Sequence, residues 1–433
     1  MAIVAGCRTG DGRAELDVIV ERCAGLDVHK KTVMACVRKP KDGKRVSVRR
    51  EFSTFTCGLH QLRDWLASEG VTQVAMEATG IYWRPVWYVL WYVLEEMAGV
   101  ELLLANAQHV KNLPGRKTDA KDAEWLAQLL ECGLLRGSFI PTPVMQRLRD
   151  LTRYRTKLTE DRAREVQRIQ KVLEDAGIKL DSVISDVLGK SSRQMLEALI
   201  AGERDPEVLA ELSKARMRAK IPDLRLALVG RFGEHHALMA RMHLDHLDHL
   251  DEMIDRLDQE VAREMAPFAE AAGRVVSVPG LGQHTTQAIL AEIGIDMSRF
   301  PTAAHLASWA GMCPGNHESA GKSRSGRPRK GNAALRAVLC EAAWAASHTK
   351  DTYLAAQYQR FLRRFGKKGQ KKAIFALAHT ILVIVWNILS DGGTYEELGY
   401  DYFERRIDTE EKKRRLIRQL ESLGVHVTVE PAA

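Results

Sequence analysis

From about Met145 to Met265 the chain offers no strand pattern, and apolar residues return at helical spacing, most regularly at Leu247, Leu250, Ile254, Leu257 and Val261. Steps of three and four make a heptad seam, which predicts a coiled coil or a long helical hairpin. Breaks near Gly189, Pro206 and Pro222 mean that it is not one rod. Upstream, RCAGLDVHKKTVMACV (22–37) reads as two apolar strands joined by a polar His29-Lys30-Lys31 turn, and VTQVAMEAT (71–79) as another buried strand. Strands alternating with helical stretches such as LHQLRDWLAS predict an α/β sheet ending near Pro141 and Pro143. From Val278 to about Gly399 the pattern is that of a compact, Gly-containing helical domain, followed by the charged helix ERRIDTEEKKRRLIRQLESL. The predicted class is α/β plus α, with an extension over 1–20, domains over 21–143, 144–266 and 267–399, and a tail over 400–433.

The net charge of +8 favours a polyanionic partner, yet 64 basic residues stand against 56 acidic ones, so where the charge clusters matters more than its sum. Seven cysteines without a CxxC pair argue against a zinc site or a disulfide framework and fit a reducing cytoplasm. The first twenty residues carry Arg8, Asp11, Arg13, Glu15 and Asp17, so they do not read as a signal peptide. The apolar run around Ile381 to Leu389 reads as too short to span a bilayer, and a soluble protein with no membrane contact is expected. The repeat of Trp87-Tyr88-Val89-Leu90 as Trp91-Tyr92-Val93-Leu94 adds just over one helical turn, read as aromatic packing against the sheet.

Four carboxylates stand out. Asp27 ends the first strand, Glu77 ends a later one, and Asp119 and Asp122 lie in KTDAKDAEWLAQLL, three apart on one face at a helix start. Singly, each is an ordinary turn cap or a helix N-terminal acid. Converging, they would repel unless cations neutralised them, and hard oxygen donors suit Mg²⁺, with Mn²⁺ as an alternative. Two such ions can activate a nucleophile and stabilise a leaving oxygen in phosphodiester chemistry. The order strand-Asp, strand-Glu, helix-Asp-Asp resembles the RNase H-like (RuvC-like) nucleases, including Holliday-junction resolvases. More closely, GLDVHK (25–30), MEATG (76–80) and TDAKDA (118–123) resemble the three motifs of the DEDD insertion-sequence transposases, the insertion sequence 110 family related to Piv-type DNA invertases. The resemblance implies that Asp27, Glu77, Asp119 and Asp122 form the catalytic, metal-holding tetrad.

Further on, SVPGLGQHTTQAILAEIG (277–294) looks like a helix-hairpin-helix element, in which Gly280 and Gly282 would help present backbone N–H groups to a phosphate; a plain turn between packed helices explains it nearly as well. LASWAGMCPGNHESAGKSRSGRPRKGNAALR (306–336) places Ser319 in a polar loop of small residues, followed by Lys322, Arg324, Arg327, Arg329 and Lys330, which suit phosphate contacts. PGNHESAGK resembles the serine motif of the family's C-terminal domain, implying that Ser319 attacks DNA and becomes covalently linked to it. A composite active site, possible between subunits, would join serine and tetrad. Two basic clusters add phosphate-tracking candidates: Arg147, Arg149, Arg153, Arg155 and Arg162 on one helix, and the run from Arg360 to Lys372 flanking Phe361 and Phe365. His243, His246 and His249 in HLDHLDHLDE imagine a zinc site, but a solvated coiled-coil face is the favoured reading.

The resemblance further implies a structured bridge RNA that pairs with donor and target DNA. The expected function is excision and insertion of a mobile element by metal-assisted, serine-linked strand exchange, in a bacterial cytoplasm near the nucleoid. A homodimer through the coiled coil and a tetramer during recombination are expected. The alternatives are a resolvase-like nuclease that uses only the tetrad, and a binding scaffold with a degenerate site.

Overall fold

The computed structural model describes residues 18–77, 80–95, 100–105, 110, 122–135, 137–314, 317–319, 322–324, 328, 330–406, 409–424 and 426–428. It divides into two compact units, Met1–Ile140 and Pro141–Ala433.

In the first unit, β1 (Cys23–Val28) and β2 (Thr32–Lys41) form the hairpin expected around His29 to Lys31, and β3 (Lys44–Ser53) adds to its outer side. Helix α1 (Thr56–Ser68) crosses to β4 (Gln73–Glu77), and α2 (Trp83–Glu95) crosses to β5 (Glu101–Ala105). The sheet order is β3-β2-β1-β4-β5, antiparallel across β3, β2 and β1 and parallel across β1, β4 and β5. The two-residue alternation of each strand separates two cores. Ala24, Leu26, Val74 and Met76 pack with Leu59, Leu62 and Leu66 of α1 and with Val86, Trp87 and Leu90 of α2. On the opposite face, Cys23 and Ala75 pack with Leu126, Leu129 and Leu130 of α3 (Asp122–Glu131). Helix α2 runs without interruption through both copies of the WYVL repeat, as a four-residue insertion into a helix permits.

The second unit starts with α4 (Pro143–Asp175), opened by Thr142, whose hydroxyl accepts a hydrogen bond from the Met145 N–H, and by Pro143 in the first turn. The short helices α5 (Leu180–Val183), α6 (Lys190–Ile200), α7 (Pro206–Glu211) and α8 (Ile221–Ala227) follow, with Gly189 capping α6 and Pro206 and Pro222 in the first turns of α7 and α8. Helix α9 (Glu234–Met265) then returns along α4. The pairs Arg147–Glu264, Arg155–Asp258, Arg162–Asp251 and His246–Glu165 run in opposite order on the two helices, so these form an antiparallel hairpin.

Of the two expected arrangements of the seam, the helical hairpin is the one observed. Leu247, Leu250 and Val261 are buried and Ile254 and Leu257 half-buried within one chain, because α4 supplies the apolar stripe the seam needs. At the far end, Ile169, Leu173, Leu196, Leu224, Leu244 and Leu247 join a separate core closed by the short helices.

Two of the three histidines of HLDHLDHLDE, His243 and His246, are engaged within the chain. The Glu165 carboxylate of α4, 2% exposed, accepts hydrogen bonds from His243 Nδ1 at 2.8 Å and stands 3.1 Å from His246 Nδ1, with Arg168 also paired to it. The face read as solvated is therefore partly engaged. Burial pushes the Glu165 carboxyl up, but His243 and Arg168 together outweigh it and hold the group below its ordinary range. A depressed carboxylate contributes stability that is present above its unfolded value and lost as pH falls through the folded one. Glu165→Gln is expected to cost about 2 kcal/mol at neutral pH. The variant should also lose less stability than the wild type on acidification, as read by thermal unfolding at pH 7 and through the acid range.

The rest of the unit is a helical bundle: α10 (Ala269–Val276), α11 (Gln283–Ile293), α12 (Ala303–Trp309), the two-stranded ribbon β6 (His317–Ser319) and β7 (Lys322–Arg324), α13 (Ala333–His348), α14 (Tyr353–Phe365) and α15 (Gln370–Asp391). At 22 residues, α15 is long and apolar enough by composition to cross a bilayer, which corrects the reading from the shorter Ile381 to Leu389 run. Its Leu377, Ile381, Leu382 and Val385 are instead fully buried in the bundle, which accounts for that composition. The charged tail holds α16 (Tyr402–Arg405) and α17 (Thr409–Glu421).

Candidate active site and nucleic-acid surfaces

Strands β1 and β4 are parallel, with Leu26 paired to Met76. One residue further along each lie Asp27 and Glu77, at the same level on neighbouring strands and at their carboxyl ends, where open α/β sheets place their ligands. Alternation puts both on the side opposite Leu26 and Met76, which is the side that α3 covers. Helix α3 begins at Asp122 and is seated directly on β1: a Cβ at Gly25 would meet the Ala123 carbonyl oxygen, the Ala127 nitrogen at 2.5 Å and the Leu126 Cβ at 2.9 Å. Gly25 therefore brings the helix start that carries Asp122 over the end of β1.

Salt bridges fix the helix along its length. Arg49 of β3 pairs with Glu124, and Glu131, 2% exposed, accepts from Arg38 Nε at 2.8 Å and from Arg45 Nε at 2.6 Å. Sequence reasoning missed this clamp; its signal was a lone acid closing the apolar run Leu129-Leu130-Glu131. Asp27 and Glu77 are half-buried, and the His29 Nε2 lies 3.2 Å from the Asp27 carboxylate. Asp119 lies outside the described residues. Among those described, no three His, Cys, Asp or Glu side chains stand close enough to hold a metal ion. The donor chemistry of the described carboxylates fits a hard divalent cation all the same, because Asp27 and Glu77 are half-buried oxygen donors at the same level on neighbouring strands.

In the second unit, Ser319 ends β6, paired with Lys322, while His317 is paired with Arg324. The expected loop is thus a short ribbon, held by backbone pairing that its polar side chains do not announce. Further along the chain, the start of α13 is anchored. A Cβ at Gly331 would collide with Ala310 and Gly311, and Asn332, the N-cap of α13, donates from Nδ2 to the Glu292 carboxylate at 2.6 Å. Lys330 is exposed; Arg327 and Arg329 lie outside the described residues.

In two groups of expected nucleic-acid contacts, packing or pairing within the chain engages several of the residues. Arg149 and Arg155 of α4 are buried internal staples, whereas Arg147, Arg153 and Arg162 are paired nearer the surface. Arg149, 8% exposed, donates to the Ala291 carbonyl at 2.9 Å and to the Glu292 carbonyl, satisfying the last turn of α11. Arg153 grips the Glu292 carboxylate at 2.6 and 2.9 Å, and Arg155 donates to Asp258 at 2.8 Å and Gln287 at 2.9 Å. Arg147 and Arg162 pair with Glu264 and Asp251. The counter-charges come from α9 and α11, more than eighty residues away in sequence. Of the two glycines, Gly280 (φ 87°) is pressed against α13, where a Cβ would meet the Ala342 oxygen at 2.5 Å and the Ala346 nitrogen at 2.7 Å. Packing thus accounts for Gly280. Gly282, the N-cap of α11, is exposed with open space around it, so the N–H groups at that helix start remain the phosphate-accessible part of the motif.

Comparison with known proteins first gives the class. A family described as transposase matches residues 24–178, which include all four carboxylate positions, and one described as the transposase IS116/IS110/IS902 family matches residues 272–359, which include Ser319. Similar proteins include the transposase for insertion sequence element IS1111A of Coxiella burnetii, 25% identical over 70% of this chain and 76% of that protein. The pilin gene-inverting protein of Moraxella bovis is 31% identical over 29% of this chain and 39% of its own length. The chain belongs to the insertion sequence 110 family of DEDD transposases and is a DNA-acting enzyme.

Proposed function

We propose that this chain excises and inserts a mobile element by serine-linked strand exchange, with Asp27, Glu77, Asp119 and Asp122 holding Mg²⁺ or Mn²⁺ and an RNA supplying sequence choice. The observation that carries the reading is the placement of Asp27 and Glu77 side by side on parallel strands, beneath the helix that starts at Asp122. The order β3-β2-β1-β4-β5 supports an RNase H-like first unit.

The four carboxylates would hold the cation through their oxygens. A divalent cation there supplies charge stabilisation for a phosphodiester and makes an attacking hydroxyl more acidic. Ser319 Oγ forms a bond to phosphorus as the bond to the leaving deoxyribose oxygen breaks; the serine proton is lost and the leaving oxygen gains one. Lys322, Arg324, Arg327, Arg329, Lys330 and the α11 start at Gly282 neutralise and hold the phosphate backbone. Two duplexes present four strands, which calls for four serines and hence a tetramer. RNA guidance is supported by the family resemblance.

A second reading is a hydrolytic nuclease, favoured by one observation: the first unit carries its carboxylates on a compact core of its own. Purified protein, Mg²⁺, labelled donor and target DNA and RNA transcribed from the element flank separate the two. Joined junctions that require the RNA are expected; free ends alone, with or without RNA, would establish the nuclease.

A further inference from the structure

Between Asp351 and Asp391 the chain contains no Asp or Glu, yet it carries Arg360, Arg363, Arg364, Lys368, Lys371 and Lys372. All six gather at one corner of the bundle: α14 ends at Phe365, Gly366 turns the backbone at φ 71°, and α15 starts at Gln370. They are exposed. The contrast with α4 is direct, because there each nucleic-acid candidate has an acid or a helix-end carbonyl as partner. Here, among the described residues, Arg363, Lys368, Lys371 and Lys372 form no ion pair, and Arg360 and Arg364 lie against rings. The Arg360 guanidinium is 4.7 Å from the Phe403 ring centre, and that of Arg364 is 5.7 Å from Phe365.

The second feature of the corner is aromatic. Phe361 and Phe365 stack with ring centres 6.2 Å apart at 26°, and Phe365 is 36% exposed among the cations. A solvated basic turn has no use for an exposed phenyl ring. Cations that follow a phosphate backbone beside rings that accept unpaired bases are the chemistry of single-strand binding. A duplex hides its base faces and would gain only from the charges.

We propose that the α14–α15 corner binds a single strand of DNA, with the cations on its phosphates and Phe365 as a stacking platform. The choice of DNA rests on the strand-exchange reading, since exchange frees an unpaired strand that must be held until it is rejoined. Binding is measurable without exchange, so the two readings fail separately.

The test is fluorescence anisotropy of the full chain with labelled mixed-sequence oligonucleotides, as single-stranded DNA, duplex DNA and single-stranded RNA, over a salt series. A variant with Arg363→Gln, Arg364→Gln, Lys371→Gln and Lys372→Gln is expected to bind single-stranded DNA at least about tenfold more weakly, with its salt slope smaller by about 3. Phe365→Ala is expected to lose about tenfold on the single strand and nothing on the duplex. Phe365→Leu, which keeps apolar packing under α14, should lose the same preference. Thermal unfolding of each variant checks that the bundle is intact. The proposal is overturned if Phe365→Ala has no effect, if the losses are equal on duplex, or if they are confined to RNA. Normal binding by a chain that never joins strands would sink the exchange reading and leave this surface standing.

Discussion

Asp27→Asn is expected to lower DNA strand cleavage by about three orders of magnitude while leaving DNA affinity and folding close to wild type. The substitution keeps the shape of a half-buried side chain at the end of β1 and removes one negative charge. An uncharged amide oxygen is a poor ligand for a hard cation, and several kcal/mol of charge stabilisation in the transition state depend on that cation. Glu77→Gln, at the same level on the next strand, should lose as much. The double variant should be no worse than either single one, because residues that act as a unit are not additive. Single-turnover cleavage with Mg²⁺ and Mn²⁺ titrated across all three proteins reads this. Two single losses that multiply in the double variant would mean that the two carboxylates do not share a cation.

Gly25→Val is expected to be nearly as damaging, although the residue has no side chain with which to touch a substrate. Its new Cβ would stand 2.5 Å from the Ala127 nitrogen and 2.9 Å from the Leu126 Cβ, against a helix whose far end is clamped through Glu131 by Arg38 and Arg45. Backbone cannot yield as a flexible side chain can, so α3 must lift from β1 and carry Asp122 with it. A loss of about 3 kcal/mol of stability is expected, together with a fall of at least about a hundredfold in cleavage at temperatures where the protein remains folded. Urea unfolding and cleavage rates on the same preparation check both. Full cleavage activity in a folded Gly25→Val protein would mean that the α3 start does not belong to the site.

The legible parts of this molecule were those with local signals. The hairpin from Cys23 to Lys41 and the strand at Glu77 carry alternating apolar residues, and the motifs around Asp27, Glu77 and Asp122 sit where strand ends and a helix start can be read directly. Strand β3 was missed because KRVSVRREFS is polar and rich in arginine, and its meaning depends on Glu124 and Glu131, which lie far along the chain. The same blindness hid the pairing of the α4 arginines: a helix with nine cations reads as unpaired until α9 and α11 bring their carboxylates and carbonyls to it. Glu292, alone in the apolar stretch Ala288-Ile289-Leu290-Ala291-Glu292-Ile293, was the clue that a buried cation had to come from elsewhere. The heptad seam was legible as a seam, but nothing local says whether its partner is a second chain or the same one. Near Ser319 the ribbon was hidden because Glu318, Lys322, Ser323 and Arg324 have no apolar alternation.

The most direct measurement is to quench the wild-type reaction with donor and target DNA, Mg²⁺ and RNA in denaturant, digest the protein, and sequence any nucleotide-bearing peptide by mass spectrometry. The predicted result is a single adduct, a phosphodiester on Ser319, absent from Ser319→Ala and from Asp27→Asn. Joined products without an adduct, or an adduct on any other residue, would contradict serine-linked exchange at this position.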